Sequence, residues 1–447
     1  MFPLSYTTMS RKLGPHETYA ATRSRFGSYS NVFVSARLRD PAPTEAVEYA
    51  VCQLIHNEPI LGVTITGDKP GQYEMHKLNA DDYDVKDFLD TTTFWDKQVS
   101  EAQSDLHYVR FDLTKAHWKV VGLDHGREVL FLYDHTLLDG MSGSFACRQL
   151  VKSIEEYRQG KRSDDNKIQV SQKELPPPVE KQITVSAPVS RLVKELANEY
   201  LFSKPKTSLP PQVLPWTGYY GVIDMTTEQT SAFLKMCKAH SISGGAGLYG
   251  LLVCSSSKVL HDKYPDAVQQ QVSGSIPWNA RKFTPGQDPE RLGMVVGESL
   301  FDNPVPKPAD VEFGSGPTIP SGFLEVAKVY QDQIKKDGVS TWFSGYPFMH
   351  IIGLIPFVDL EDYFASHTNN YQRHGMYSLS NLTALETSTT VERLRFSQCT
   401  GGTCPFIQFS TVGIKGGPIS ISVAVAEDDS IVPQVEKYVE EFLSHIS

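Results

Sequence analysis

Short apolar runs alternate with amphipathic stretches along this chain. Val129-Leu130-Phe131-Leu132-Tyr133 is apolar and aromatic-rich, so it predicts a buried strand, paired in a hairpin with Trp118-Lys119-Val120-Val121. From about residue 145 to 159 the period changes, with Ala146, Leu150, Ile154 and Tyr157 recurring at spacings of three and four. This predicts a helix, with Ser142 or Ser144 to cap it and Gly160 to stop it. The same two periods place a helix at 17–24, a strand at 31–38, a helix at 44–57 and a strand at 59–65. The helix at 44–57 gathers Ala46, Val47, Ala50, Val51, Leu54 and Ile55 on one side. Residues 74–118 have no dominant period and read as mixed, loop-rich chain.

Between 161 and 215 the composition shifts to polar and Pro-rich runs around one helix at 189–201. This stretch reads as a crossover between two halves: 1–175, a linker at 176–215, and 216–447. The second half predicts a strand at 216–224, a helix at 227–239, a loop and helix start at 243–250 leading into 251–264, and a strand at 272–283. A Pro- and Gly-rich loop at 303–321 and a helix at 322–336 follow. Strands at 377–382, 406–412 and 418–426 precede a closing helix at 432–446, striped by Val435, Val439, Phe442 and Leu443. The order of elements is that of an α/β (α+β) protein. No internal repeat is visible.

Composition narrows the function classes. The 447 residues are 40% hydrophobic and 21% charged, enough for a substantial core and against wholesale disorder. A formal net charge of -10 argues against a nucleic-acid binder, although a local basic patch for a phosphorylated co-substrate remains compatible. Six cysteines in this length are no disulfide framework, and Cys399 and Cys404 read as reduced thiols flanking a turn. No run approaches a membrane span, and residues 1–13 lack the pattern of a signal peptide. The expected setting is a reducing, cytosolic compartment. There the Asn381-Leu382-Thr383 sequon would stay unmodified.

Two signals are set aside. Gly245, Gly247 and Gly250 spell Gly-x-Gly-x-x-Gly, but a dinucleotide site needs that pattern directly after a strand, and here a helix precedes it. Asp81, Asp82, Asp84 and Asp87 cluster in a polar stretch with no histidine at ligand spacing, so they read as a solvated face. No metal site is expected.

The stronger signal is Asp134-His135-Thr136-Leu137-Leu138-Asp139-Gly140, at the end of the predicted strand. Imidazole takes a proton near neutral pH, and a strand end beside a turn can present it to a substrate. His-x-x-x-Asp-Gly resembles the signature of the CoA-dependent acyltransferase superfamily of chloramphenicol acetyltransferase, plant acyltransferases and peptide-synthetase condensation domains. The opening block, Leu13-Gly14-x-x-Glu17-x-Tyr19 and Arg23-x-x-x-Gly27-x-Tyr29, is similar to that of fungal alcohol acetyltransferases. Asn279-x-Arg281 and Ser380-Asn381-Leu382 resemble two further strand ends of the superfamily, with Thr383 where a glycine is usual.

The resemblance implies two similar halves, each a mixed sheet with helices, around a central tunnel. It implies transfer of an acetyl or other short acyl group from acyl-CoA, a co-substrate and not a bound cofactor, to a small-molecule alcohol. His135 would be the general base in a ternary complex. Asp139 would be structural and paired with Arg281, Gly140 would give the turn its freedom, and Ser380 or Asn381 would serve the oxyanion. A monomer is expected. The alternatives are an N-acyltransferase acting on an amine, a condensation or cyclisation enzyme, a non-catalytic binding member of the fold, and a metal hydrolase. The intact His135 favours an enzyme. Asp134, where condensation domains usually carry a second histidine, disfavours that class. No further histidine cluster supports a metal site.

Overall fold

Serine and apolar positions alternate along the later strands, and this alternation sets how the molecule is layered. The computed structural model describes residues 10–161, 167–183, 217–265, 272–303, 305–337, 359–364 and 376–446, apart from 285, 315–317, 363, 402, 403 and 427. The first part runs β1 (Ser10–Lys12), α1 (Pro15–Arg25), β2 (Val32–Leu38), α2 (Thr44–Asn57), β3 (Val63–Thr66), β4 (Glu74–Lys77) and β5 (Leu89–Asp90). It continues through α3 (Val99–Tyr108), β6 (Trp118–Leu123), β7 (Glu128–Tyr133) and α4 (Gly140–Arg158). The second part runs β8 (Gly218–Asp224), α5 (Thr227–Ala239), α6 (Gly244–Lys263), β9 (Val272–Asn279), β10 (Val296–Asn303) and α7 (Ser321–Asp337). It ends with β11 (Tyr377–Leu385), β12 (Val391–Gln398), β13 (Ile407–Ile414), β14 (Ile419–Ala426) and α8 (Ile431–Ile446).

A five-stranded sheet has the order β12-β2-β7-β6-β5, and a six-stranded sheet the order β10-β9-β11-β13-β14-β8. β1, β4 and β3 make a small third sheet. In the five-stranded sheet Val34, Ala36, Val129 and Phe131 share a core with α2 and α4, while Phe33, Leu130 and Leu132 pack against Val99, Ala102 and Leu106 of α3. With both faces covered, all six residues of β7 are buried, which is why that strand reads as a continuous apolar run.

The six-stranded sheet is two-faced. Tyr377, Leu379, Ile407, Phe409, Ile421 and Val423 enter a core with α5, α6, α7 and α8. Ser378, Ser380, Gln408, Ser410, Ser420 and Ser422 alternate with them and lie on the other face, in register across β11, β13 and β14. That face meets the first part of the molecule. β12, late in the chain, pairs antiparallel with β2 and packs over β13 and β14. Arg395 on β12 ties the layers together: Nη1 meets Glu128 Oε2 at 2.6 Å and Nη2 meets Asp224 Oδ2 at 2.6 Å.

Several elements differ from the sequence reading. α4 begins at Gly140, because Asp139 and not a serine caps it, accepting from the Ser142 N–H. α6 begins at Gly244 with Ser243 as its cap, so the three glycines lie inside the helix. A Cβ at Gly247 would sit 2.4 Å from Cys237 Sγ, and one at Gly250 would sit 2.9 Å from the Phe323 carbonyl. Close helix packing therefore explains these glycines. Residues Pro59–Leu61 form a 3-10 turn, and the strand starts only at Val63. β9 stops at Asn279, and Arg281 lies in the 3-10 turn Ala280–Phe283. α3, β10 and β12 have no counterpart in the sequence reading. The helix at 189–201 and most of the linker lie outside the described residues.

Replacing Arg395 with Met removes the nearest cation from Glu128, which is only 1% exposed, and from Asp224, leaving Arg37 at 3.8 Å and Arg393 at 3.5 Å as their remaining cations. The expected loss is about 3 kcal/mol, seen as a lower urea midpoint. An unchanged midpoint would mean the network adds nothing to stability.

Candidate active site

β7 ends at Tyr133, and Asp134 to Leu138 form the turn that leads to the Asp139 cap of α4. Two polar clusters fix this turn. At its start the buried Asp134 carboxylate accepts from the Ser24 hydroxyl of α1, from the Thr136 hydroxyl and from the Thr136 N–H at 2.9 Å. Burial pushes the Asp134 carboxyl above its ordinary range.

At the end of the turn Arg281 grips Asp139 with two parallel bonds: Nη1 to Oδ2 at 2.8 Å and Nη2 to Oδ1 at 3.0 Å. Both side chains are 2% exposed. Oδ1 also accepts from the Ser142 N–H at 2.8 Å, and Oδ2 from the Val295 N–H at 2.9 Å. The guanidinium uses its remaining donors on the Arg291 carbonyl at 3.0 Å, on Ser142 Oγ at 2.9 Å and the Gly293 carbonyl at 3.3 Å, and on Asn279 Oδ1 at 3.3 Å. Ser142 Oγ donates in turn to the Gly293 carbonyl at 2.8 Å. Burial alone would raise the Asp139 carboxyl, but Arg281 and the two N–H groups outweigh it and hold it below the ordinary carboxylate range.

Gly140 is the first residue of α4, and a Cβ there would sit 2.9 Å from Leu382 and 3.3 Å from Phe396. It is therefore small because β11 and β12 approach closely, not because the turn needs unusual backbone angles. Tyr133 reaches over the same turn and donates to the Asp139 carbonyl at 3.0 Å.

His135 lies between these clusters, partly exposed, with its Nδ1 buried. The Tyr29 ring meets it edge-on with centroids 5.6 Å apart, and the Arg23 guanidinium lies over the Tyr29 ring, 4.1 Å from its centroid. Burial, followed by the Arg23 cation, lowers the imidazole from 6.5 to about 3, while Asp139 acts in the opposite sense. His16 of α1 is in the same field and falls to about 4, again through burial first and Arg23 second. With Asp139 fully engaged by Arg281, His135 is a neutral ring at neutral pH.

Ser380 and Asn381 point to opposite faces of β11. Ser380 shares a face with Ser378 and with Leu382, which packs beside Gly140. Asn381 Oδ1 accepts from the Thr383 N–H at 2.8 Å, and its amide lies near Gly245 of α6. Thr383 adopts φ +66, the left-handed conformation that a glycine would take without strain.

The sequence reading did not assign Ser142, Gly293, Val295, His16, Arg23 or Tyr29 to this site. Arg23 and Tyr29 were visible as part of the opening block, but nothing there said that they stand beside His135. The 291–295 loop carried no signal beyond its glycine. Asp81, Asp82, Asp84 and Asp87 are exposed, and among the described residues no group of three or more His, Cys, Asp or Glu could hold a metal ion. All six cysteines are buried and none forms a disulfide. Among the described residues no helix is long and apolar enough to cross a membrane.

The sequence pattern of the alcohol acetyltransferase family matches residues 83–446. The chain belongs to the alcohol acetyltransferase family. The site lies within the matched region except for its contributions from α1 and Tyr29. An uncharacterised protein of Schizosaccharomyces pombe is 23% identical to this family member over 430 residues, covering 94% of this chain and 92% of the other. Among solved structures, a trichothecene 15-O-acetyltransferase of Fusarium sporotrichioides superposes with a TM-score of 0.67 at 12% identity, covering 98% and 95% of the two chains. The first condensation domain of the calcium-dependent antibiotic synthetase follows with 0.64 at 10% identity, covering 98% and 96%. The fold is that of the chloramphenicol-acetyltransferase-like proteins, mixed α/β with two similar halves, and membership of the family makes this an acyltransferase.

Breaking the buried pair from one side, as Asp139→Asn or Arg281→Met, is expected to cost roughly 3–5 kcal/mol. The double change should cost less than the sum, because the second no longer strands a charge. Strict additivity in chemical denaturation would contradict the coupling. Because the folded carboxyl is held low, its contribution is complete above the ordinary carboxylate value and is lost as pH falls through the lowered one. Asp139→Asn should therefore flatten the acid side of the stability profile.

Proposed function

We propose that this protein transfers an acetyl or other short acyl group from acyl-CoA to the hydroxyl of a small-molecule alcohol, within one ternary complex. The carrying observation is the partly exposed His135 ring at a strand end, on a turn locked from both sides by the Asp134 and Asp139 clusters. A neutral imidazole can accept a proton, and a locked turn lowers the reorganisation needed to place it. The name of the similar Fusarium enzyme specifies an oxygen as its acceptor atom, which supports O-acylation over N-acylation.

The step balances without a protein nucleophile. The acceptor hydroxyl attacks the thioester carbonyl as its proton passes to His135. The new C–O bond gives a tetrahedral oxyanion, which collapses with loss of the C–S bond. The proton on His135 then goes to the leaving sulfur, giving free CoA and the ester. A ring whose protonated form is disfavoured returns its proton readily, and this suits a shuttle that must reset within one turnover.

Asp139 and Arg281 position the turn, and Gly140 lets β11 and β12 close on it. Ser380, on the face of β11 that carries Leu382, is the candidate donor to the oxyanion. Asn381 supports the strand from behind through the Thr383 turn. CoA and the acceptor would enter a tunnel between the halves from opposite sides. No metal step is required, because the thioester is already activated by its sulfur.

Acetyl-CoA and a panel of alcohols and amines, followed by free thiol release, test this reading. His135→Ala should lower the rate by about a hundred- to ten-thousand-fold with the melting temperature unchanged. Near-normal release would remove His135 from the mechanism. Because the ring is lowered to about 3, kcat/KM should stay level as pH falls through 6.5. An acid limb centred near 6.5 would contradict a depressed base.

A further inference from the structure

Arg23 is the cation beside His135, and its partners are unusual. Its guanidinium lies 4.1 Å above the Tyr29 ring and 5.9 Å from the Tyr19 ring, with Nε buried and without a hydrogen-bond partner. Among the described residues it makes no ion pair. The carboxylates around it are engaged elsewhere. Glu17, on the same helix, takes both bonds from Arg11 at 2.7 Å. Asp139 is held by Arg281, and Asp134 by Ser24 and Thr136. Glu298 on β10 is exposed, feels the Arg23 charge and is engaged beside Ser275. Aromatic faces stabilise a guanidinium without using its N–H donors. A partly buried guanidinium whose Nε has no partner gains from an anion that completes it.

We propose that Arg23 binds a carboxylate carried by one of the two reactants, either on the acceptor alcohol or at the far end of the acyl group. The inference rests on the acyl-transfer reading and names the charge class of its substrates. A guanidinium fork matches a carboxylate with two bonds, and it stands one aromatic ring away from the proposed base. A carboxylate a few bonds from the reacting carbonyl suits that spacing. The CoA diphosphate does not, because a whole pantetheine arm separates it from the thioester. The hydroxyls of Ser275 and Ser378, 2.9 Å apart on facing strands, add neutral hydrogen-bonding groups near Glu298.

The test compares thiol release for three pairs, in wild type, Arg23→Met and Arg23→Lys. They are acetyl-CoA with neutral alcohols, acetyl-CoA with hydroxy acids of matching chain length, and succinyl-CoA with the neutral alcohols. The expected result is a kcat/KM advantage of roughly tenfold to a thousandfold for one of the charged pairs, lost in Arg23→Met and partly kept in Arg23→Lys. Which pair gains tells whether the carboxylate sits on acceptor or donor. The proposal is overturned if the neutral pair does as well as both charged ones in wild type. It is also overturned if Arg23→Met slows all three equally, which would mark a role at the oxyanion or in folding. If no pair releases thiol, the acyl-transfer reading fails by itself. Calorimetric titration with succinate and with the hydroxy acids then decides the inference: binding by wild type and not by Arg23→Met supports it, and no binding by wild type overturns it. Arg23→Lys, compared with wild type by melting temperature, keeps the test open if the Met variant does not fold.

Discussion

The buried pair of Asp139 and Arg281 is the constraint on which the candidate site depends. The two residues are 142 positions apart, and their carboxylate and guanidinium are both nearly sealed from water. Such a pair is tolerable only when the remaining donors and acceptors are also satisfied. Here the Ser142 and Val295 N–H groups, Ser142 Oγ and the Arg291 carbonyl complete it. The pair does three things at once. It caps α4, it docks the 291–295 loop against the turn, and it partly offsets the Asp139 charge that pulls the His135 imidazole upwards. Burial and the Arg23 cation on its aromatic support outweigh the remaining pull of Asp139 and hold the His135 ring low.

A second contact between the layers works by different means. β12 crosses to complete the five-stranded sheet, and Arg395 joins Glu128 of that sheet to Asp224 of the other. Around it the six-stranded sheet offers serines and glutamine where its other face offers Phe, Tyr, Ile and Val. A hydroxyl-bearing face can meet a partner layer through hydrogen bonds without forming a continuous apolar seam.

The sequence was most informative where one physical pattern dominated. β7 is buried on both faces, and α2 and α5 each carry a clean apolar stripe, so their bounds match the residues 128–133, 44–57 and 227–239. It misled where a side chain did tertiary work. Asp139 caps α4, so the helix starts before its first apolar residue, and tight packing at Gly247 and Gly250 hides a helix behind what looks like a loop. β12 was illegible because Glu392, Arg393 and Arg395 interrupt its apolar positions, and those charges find partners only in other elements. The contact of Asp139 with Arg281 came from the resemblance of Asn279-x-Arg281 to a strand end, since nothing in the spacing brings them together. Arg23 next to His135 is likewise a product of the packing of α1 against the turn.

If His135 activates the acceptor for direct attack, no acyl group ever rests on the protein. Intact-mass measurement of the protein after mixing with acetyl-CoA alone, and again after adding an accepted alcohol, tests it most directly. The expected result is an unchanged protein mass in both cases, with thiol and ester appearing only once the alcohol is present. A protein that gains one acetyl group from acetyl-CoA alone and loses it when the alcohol is added would contradict it.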